Sequence, residues 1–365
     1  MNVLIELGHP AHFHLYKNII KNLNNDGHKT YVLIKTKDIL QELLDISNIH
    51  YFNILPKVDN KKTKLSLTKG IITRDWKIFW FTLKYKINLL TGSSPHVAHI
   101  GWILNRYSIN TGEDDASVVP DFFKITLPFL KELLTPIVCN NGKFDSRSVK
   151  YESYHELAYL HPNHFTPDKK VVEKYFSPDS LYFILRFAKL NAYHDNRISG
   201  ISTEIAQNLI NILKPHGRIY ITAERELEPQ FEQYRININP LDIHHVMAFA
   251  QIYIGDSQTM AAEAGVLGVP FIRFNDFVGR IGYLNELEND YKLGFGVKTN
   301  EIDKLYLTLK ELLEMKNRSE VFAKRRKKML SEKIDYAKFL TWFIENYPES
   351  KKIMTENPDY QYKFK

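Results

Sequence analysis

Three histidines follow the first apolar segment of the chain, in a short stretch that begins at Gly8. A turn after the first strand is a natural ligand edge of a parallel sheet, so Gly8 is a candidate substrate-binding residue. The histidines are His9, His12 and His14. An imidazole titrates near neutral pH, so any one of them could act as a general base, and hydrogen bonding to the loop backbone is the simpler alternative for each. No cysteine or acidic partner completes a ligand set and no His-Glu-x-x-His pattern occurs. We therefore expect no metal and no cofactor.

Three adjacent acidic residues, Glu113, Asp114 and Asp115, are the second candidate group. They follow a strand-like segment and would repel one another unless a cation, a helix N-terminus or substrate hydroxyls share the charge. Crowding of carboxylates raises a pKa, as a catalytic base or acid requires. The acids are therefore candidate catalytic residues, with helix capping as the alternative.

A polar turn between a short apolar strand and a helix is the strongest candidate binding element. The turn consists of Gly255, Asp256, Ser257, Gln258 and Thr259. Its residues include good N-cap types, and the N–H groups of a first helical turn lack intrahelical partners, so they could bind a diphosphate. Glu263, two turns further on, could accept hydrogen bonds from ribose hydroxyls. An ordinary capped helix is the alternative.

Two arginines, Arg186 and Arg225, stand just after predicted strands of the second half of the chain. A guanidinium there could neutralise phosphate oxygens, or simply form a surface salt bridge. Around them the sequence alternates strand-like and helix-like segments, which favours a parallel, doubly wound sheet.

The length of 365 residues exceeds what one hydrophobic core usually supports. We expect an N-terminal Rossmann-like domain at 1–165, a C-terminal Rossmann-like domain at 176–335 and a C-terminal helix at 336–365. The single cysteine, Cys139, suggests a reducing compartment. No secretory signal or 18-residue apolar run is visible, so we expect a cytoplasmic protein.

The stretch 61–90 mixes lysines with large apolar residues at helical spacing. A surface helix packed by its apolar stripe is the simpler interpretation. Trp76 and Trp80 among lysines would also suit an anionic membrane surface, which would make the protein peripheral at the inner face of the membrane. The net charge of +7 favours an anionic partner. No nucleic-acid-binding motif supports a nucleic acid as that partner.

Several secondary-structure elements near these groups are also predicted. We expect a turn over 8–14 and a first helix over 15–24, a strand over 95–101 and a helix over about 117–134. The stretch 137–140 is expected to end the first sheet, and a short strand is expected near 234–238.

The string Gly-Asp-Ser-x-Thr-Met-x-x-Glu-Ala-x-x-Leu-Gly-x-Pro at 255–270 resembles the nucleotide-sugar motif of GT-B glycosyltransferases and of non-hydrolysing UDP-N-acetylglucosamine 2-epimerases. The resemblance implies two facing Rossmann-like domains with a cleft between them, and a C-terminal helix that crosses back to the first domain. It implies diphosphate binding at 256–259 and ribose binding at Glu263. Many relatives have paired glycines where this chain has Gln258 and Thr259.

Three further segments look like a prokaryotic GT-B-like family catalogued as a domain of unknown function and often met in surface-polysaccharide gene sets. These are Gly-His-Pro-Ala-His at 8–12, Leu-Arg-Phe at 185–187 with the later His194 and Asp195, and the glycine-punctuated loop 274–286. This resemblance implies that donor-site residues lie in that loop at Asn275, Asp276 and Arg280.

The sequence thus predicts a metal-independent GT-B glycosyltransferase that moves a sugar from a nucleotide-sugar donor to a glycan or lipid-linked acceptor in surface-glycan assembly. A nucleotide-sugar 2-epimerase would use the same fold without an acceptor. A non-catalytic nucleotide-sugar binder is the third hypothesis.

Overall fold

The computed structural model describes residues 1–55, 64–177, 179–188 and 200–365. Within these residues the chain forms two compact units. The first unit combines Met1–His164 with the C-terminal segment Lys333–Lys365, and the second unit is Phe165–Glu332. Both ends of the chain therefore belong to the first unit.

The first unit contains a seven-stranded parallel sheet in the order β3-β2-β1-β4-β5-β6-β7. Its strands are β1 (Asn2–Leu7), β2 (Lys29–Lys35), β3 (Tyr51–Leu55), β4 (Leu89–Gly92), β5 (Tyr107–Thr111), β6 (Glu132–Pro136) and β7 (Ser148–Tyr151). Strands β1, β2 and β3 lead in order to one edge of the sheet, and strands β4 to β7 lead in order to the other edge. Ligands of such sheets bind at the carboxyl ends of the strands where the order reverses, which places a site beside β1 and β4.

Helices cover the strands of this unit. They are α1 (Pro10–Asn25), α2 (Leu40–Ile46), α3 (Lys64–Lys84), α4 (Pro95–Ile103), α5 (Pro120–Thr126), α6 (Leu157–Leu160), α14 (Tyr336–Glu345) and α15 (Glu349–Glu356); α7 to α13 belong to the second unit. The C-terminal helix α14 packs on α1 and α6, and the ring of Tyr336 stacks on that of Tyr151, with centroids 4.3 Å apart.

The second unit contains a five-stranded parallel sheet in the order β12-β11-β10-β8-β9. The strands are β8 (Tyr182–Phe187), β9 (Arg218–Ala223), β10 (Tyr253–Gly255), β11 (Phe271–Phe274) and β12 (Gly294–Val297). The helices are α7 (Lys169–Glu173), α8 (Thr203–Leu213), α9 (Ile243–Ala248), α10 (Gln258–Leu267), α11 (Gly282–Asn285), α12 (Ile302–Glu314) and α13 (Arg318–Glu332). The order reverses between β8 and β10, whose carboxyl ends carry Arg186 and Asp256.

Four local predictions were wrong. The stretch 95–101 lies in helix α4, because Pro95 occupies the first helical turn after Ser94. The helix expected at 117–134 stops at Thr126, and Glu132–Pro136 forms the buried strand β6, so β6 and β7 end the sheet rather than 137–140. Residues near 234–238 contribute one bridge, Ile221 to Arg235, and no strand.

The first helix also begins earlier than predicted. Helix α1 starts at Pro10, and the side chain of His9 caps it by accepting from the amide of Ala11. His12 and His14 therefore lie on a helix rather than in a turn. Proline is favoured at the first helical position because its missing N–H would have no partner there.

Among the described residues, no helix is long and apolar enough to cross a membrane. Helix α3 buries Ile78 and half-buries Phe81 against the first sheet, while Trp76 and Trp80 are 62% and 52% exposed. Residues 61–63 of the basic stretch, and His194 with Asp195, lie outside the described residues.

Candidate functional site

A cavity of about 190 Å³ opens in the first unit where the carboxyl ends of β4 and β5 meet the start of α1. It is lined by His12, Ser93, Thr111, Gly112, Glu113, Asp114, Val119, Phe122, Phe123, Leu133 and Asn141. The sequence-predicted histidine turn and acidic cluster thus each contribute to one cavity. Ionisable groups face an apolar wall there, as in a site that binds a ligand with both polar and apolar parts.

His12 is the histidine that reaches this cavity. Its Nδ1 accepts a hydrogen bond from the amide of Gly8 at 3.2 Å, which leaves the proton of the neutral ring on Nε2. Burial, followed by positive charge at His9, His155 and Lys35, lowers the pKa of His12 to about 3. The ring is therefore neutral near pH 7, and it can donate a hydrogen bond from Nε2.

The other two histidines have different surroundings. His9 is exposed and caps α1. His14 is buried, and its ring packs against Phe13 and Tyr159 with centroids 5.0 and 5.3 Å apart. Neither lines the cavity.

The three acidic residues have two different roles: one anchors a loop and two line the cavity. Asp115 is buried, and its Oδ1 accepts from the amide of Asn140 at 2.9 Å, which anchors the loop after β6. Glu113 and Asp114 line the cavity. Burial, and then the charge of Glu113, raise the pKa of Asp114 to about 6. A carboxyl with a pKa near 6 is suited to exchange a proton with a bound ligand.

Sequence reasoning missed two long-range contacts in this unit, one of which holds Glu113 of the cavity. His155 lies with Nδ1 3.4 Å from Oε2 of Glu113, and its amide donates to the same oxygen. Glu6, at the end of β1, is fully buried in an ion pair with Arg74 of α3. Each contact joins residues more than forty positions apart, so no local spacing could have revealed it.

In the second unit, the polar turn lies as predicted between β10 and α10. Ser257 is the N-cap residue, and its Oγ accepts from the amide of Met260 at 3.5 Å. Gln258 and Thr259 begin the helix and are partly exposed. Gly255 cannot carry a side chain, because a Cβ would lie 2.6 Å from Oη of Tyr253 and 2.7 Å from Cβ of Arg186.

The two carboxylates of this motif are directed into the second unit. Asp256 is buried and accepts hydrogen bonds from the amides of Ala188 at 2.6 Å and Ile201 at 3.3 Å. Burial raises its pKa to about 6 despite those bonds. Glu263 is also buried, with Oε1 3.0 Å from Nε2 of His244, a partner that the sequence did not suggest.

The predicted arginines have intramolecular partners. Arg186 donates to Glu224. Arg225 donates to the carbonyl of Ile201 at 3.1 Å, and its guanidinium lies over the ring of Phe187. Arg225 thus lies close to the backbone that Asp256 holds.

The loop after β11 contains the remaining predicted residues. Asn275 is buried and donates to the carbonyl of Asp256 at 3.0 Å, so it supports the turn from behind. Asp276 accepts a hydrogen bond from Thr299, and the exposed Arg280 lies over the ring of Phe277. Asn275 therefore acts on the turn directly, whereas Asp276 and Arg280 contact other residues.

Comparison with known proteins agrees with this architecture. A family model described as "Protein of unknown function (DUF354)" matches residues 1–332. The chain belongs to this family. No curated protein matches the sequence significantly.

Solved structures with the same fold have low sequence identity to this chain. The S. aureus MnaA–UDP complex has a TM-score of 0.66 at 11% identity, over 95% of this chain and 95% of that one. The spinosyn forosaminyltransferase SpnP has a TM-score of 0.63 at 13% identity, over 94% and 98%. UDP-GlcNAc 2-epimerase from Neisseria meningitidis bound to UDP-GlcNAc has a TM-score of 0.59 at 13% identity, over 90% and 100%. These neighbours establish the predicted GT-B fold, with two parallel-sheet α/β domains.

Proposed function

We propose that this chain is a glycosyltransferase that moves a sugar from a nucleotide-sugar donor to a glycan or lipid-linked acceptor in surface-glycan assembly. The observation that carries the proposal is the first-unit cavity, where Asp114 lies beside an apolar wall that includes Phe122 and Phe123. At about 190 Å³ it is smaller than the ~300–1,000 Å³ of sites for drug-sized ligands, so it suits one end of an acceptor.

Asp114 is the proposed base. In the transfer, it takes the proton of an acceptor hydroxyl while the hydroxyl oxygen bonds to the anomeric carbon of the donor sugar. The bond from that carbon to the diphosphate oxygen breaks, and its electron pair leaves with the nucleoside diphosphate. Burial, and then the charge of Glu113, raise the pKa of Asp114, and His12 donates from Nε2 to an acceptor oxygen.

The start of α10 is the proposed diphosphate site. The amides of Gln258 and Thr259 belong to the first helical turn, where backbone N–H groups and the helix dipole favour an anion. Asp256 and Asn275 shape this turn rather than contact the donor, since both are buried and bonded to backbone groups. The helix amides stabilise the leaving diphosphate, so the transfer step needs no divalent metal.

The neighbours also favour a second candidate, an epimerase, because the N. meningitidis structure is a 2-epimerase with UDP-GlcNAc bound. An epimerase needs no acceptor. Incubation with UDP-GlcNAc alone, followed by NMR of the sugar, separates the two functions. A transferase releases UDP when a lipid-linked glycan extract is added, whereas an epimerase yields a new epimer without it. If the chain binds the nucleotide but yields neither released UDP nor a new epimer, the hypothesis of a non-catalytic binder is supported.

We also propose that helix α3 brings the protein to an anionic membrane surface. Ile72, Trp76 and Trp80 are exposed at four-residue intervals, so they lie along one side of the helix. The exposed Lys69 and Lys84 are on the same helix and would contact lipid headgroups. A lipid-linked acceptor would be presented at such a surface.

A further inference from the structure

A cluster of two histidines and one aspartate lies between helices α3 and α4, outside the residues that line the first-unit cavity. Oδ1 of Asp75 is 2.6 Å from Nδ1 of His96, and Oδ2 is 2.8 Å from Nδ1 of His99. His96 and His99 are one helical turn apart, so both face α3. Both imidazoles are buried, and the carboxylate is partly buried.

The hydrogen-bond geometry of His99 requires a positive charge, from a proton or a metal, near its Nδ1. Its Nε2 lies 3.2 Å from the carbonyl oxygen of Ile125, and a carbonyl can only accept, so Nε2 must carry a proton. In the neutral ring, Nδ1 then presents a lone pair to Oδ2 of Asp75. Two lone pairs 2.8 Å apart repel one another. A second proton on Nδ1 removes this repulsion. A metal cation bound to both atoms would also remove it, with the two atoms moving apart to the roughly 3.3 Å that bonds of about 2.0 Å in a tetrahedral site require.

The backbone contact of His99 also suits a metal ligand. Histidines that bind metals through one ring nitrogen commonly donate the other N–H to a backbone carbonyl or carboxylate, which fixes the ring orientation. Here Ile125 fills that role for His99. The candidate ligand atoms of all three residues lie within 4.8 Å of one another. We propose that Asp75, His96 and His99 form a Zn²⁺ site.

The donor set favours Zn²⁺ over Mg²⁺ and Ca²⁺. Two imidazole nitrogens and one carboxylate oxygen suit Zn²⁺, whereas Mg²⁺ and Ca²⁺ prefer oxygen ligands alone. The adjacent cation, Arg74, is paired with Glu6, which offsets its repulsion of a bound metal. Three protein ligands leave a fourth position for water. The site joins α3 to α4 and does not depend on the proposed transfer reaction.

Cobalt binding to the full chain tests this site. After dialysis against a chelator, titration with Co²⁺ should produce visible d–d absorption of a tetrahedral nitrogen and oxygen site at one equivalent, and Zn²⁺ should abolish it. Zn²⁺ should also raise the Tm of the wild-type chain, since a ligand that binds only the folded state stabilises it.

Variants locate the metal. His99→Gln and Asp75→Asn should each weaken Zn²⁺ binding by at least about 100-fold, more than the loss of an outer-shell partner usually costs. His216→Gln, which changes an exposed histidine of the second unit, should leave it unchanged. The proposal is wrong if the wild type gives no cobalt spectrum, or if both variants bind Zn²⁺ as tightly as the wild type. A doubly protonated His99 that persists in ¹⁵N NMR with Zn²⁺ present would also overturn it.

Discussion

Oδ1 of Asp256 accepts a 2.6 Å hydrogen bond from the amide of Ala188, so the carboxylate after β10 fixes the backbone after β8. Its second oxygen accepts from Ile201. Asp256, which lies in the stretch that resembles a nucleotide-sugar motif, therefore holds together two neighbouring strand ends. The proposed diphosphate site uses the helix amides beyond it.

Replacement of Asp256 by Ala should destabilise the protein. It leaves two backbone amides without their acceptor, which should lower the free energy of unfolding by about 2–4 kcal/mol. Urea unfolding measures the change. Asp179→Ala, at a fully exposed aspartate of the same unit, is the control and should have little effect. Equal stability of the two variants would mean that the Asp256 bonds contribute little.

The start of α10 can be tested by charge. Thr259→Glu adds an acid to the first helical turn, which is compatible with the helix dipole but repels a diphosphate. We expect it to abolish the rise in Tm that UDP causes in the wild type, while the isosteric neutral variant Thr259→Gln retains the rise. A ligand at 100 times its Kd stabilises by about 2.7 kcal/mol, which is readily measured. An unchanged UDP response in Thr259→Glu would place the nucleotide elsewhere.

The proposed base predicts a pH profile. Asp114 must be ionised to accept a proton, and its pKa is about 6, so kcat/KM should rise as the pH passes through about 6 and then level off. Asp114→Asn should lower the rate by about 10²–10⁴-fold. Asp121→Asn, at an exposed acid of α5, is the control. A profile with the same midpoint in Asp114→Asn would exclude Asp114 as the titrating group.

His12 should affect stability at acidic pH. The unfolded chain binds a proton on this ring near pH 6.5, whereas the folded chain binds it only near pH 3. The folded state therefore loses stability as the pH falls from 6.5 towards 3. His12→Gln, which can still accept from Gly8, should reduce this loss in urea unfolding between pH 4 and 7, whereas the exposed His50→Gln should not. Identical pH dependence in all three proteins would contradict the lowered pKa.

Membrane docking predicts binding to acidic lipid. The wild type should float with vesicles that contain phosphatidylserine, and salt should weaken the association because lysines contribute. Replacement of Trp76 and Trp80 by Ser should reduce flotation strongly. Leu307→Ser, at an exposed apolar residue of α12, should not. Undiminished flotation of the double variant would show that α3 is not the contact.

Local signals predicted the central turn correctly because its determinants are adjacent in sequence. Ser257 caps α10, and Gly268 ends it in a left-handed conformation with φ of 82°. In other segments the secondary structure depends on packing against distant parts of the chain. Residues 132–136 contain good helix formers, yet they form the buried strand β6 between β5 and β7. At 95–101 a short apolar run fitted strand and helix alike, and Pro95 after Ser94 was the overlooked helix signal.

The sequence indicated individual residues of the candidate site but not which of them lie together. Nothing local indicated that His12 would share a cavity with Glu113, or that His14, two residues later, would pack into the core. The polar partners of Glu263 and Glu113 are histidines far along the chain. Their pairing depends on how the helices lie on each sheet, which residue spacing does not determine.

The division of the first unit between the two ends of the chain affects its biosynthesis. Its sheet strands leave the ribosome first, but Tyr336, which stacks on Tyr151, is translated only after the whole second unit. The surface of the nascent first unit that packs against α14 therefore stays uncovered until α14 has been translated. A chain truncated after Glu332 would contain every residue matched by the family model and still lack this part of its core. Such a product should depend on chaperones and be degraded rapidly.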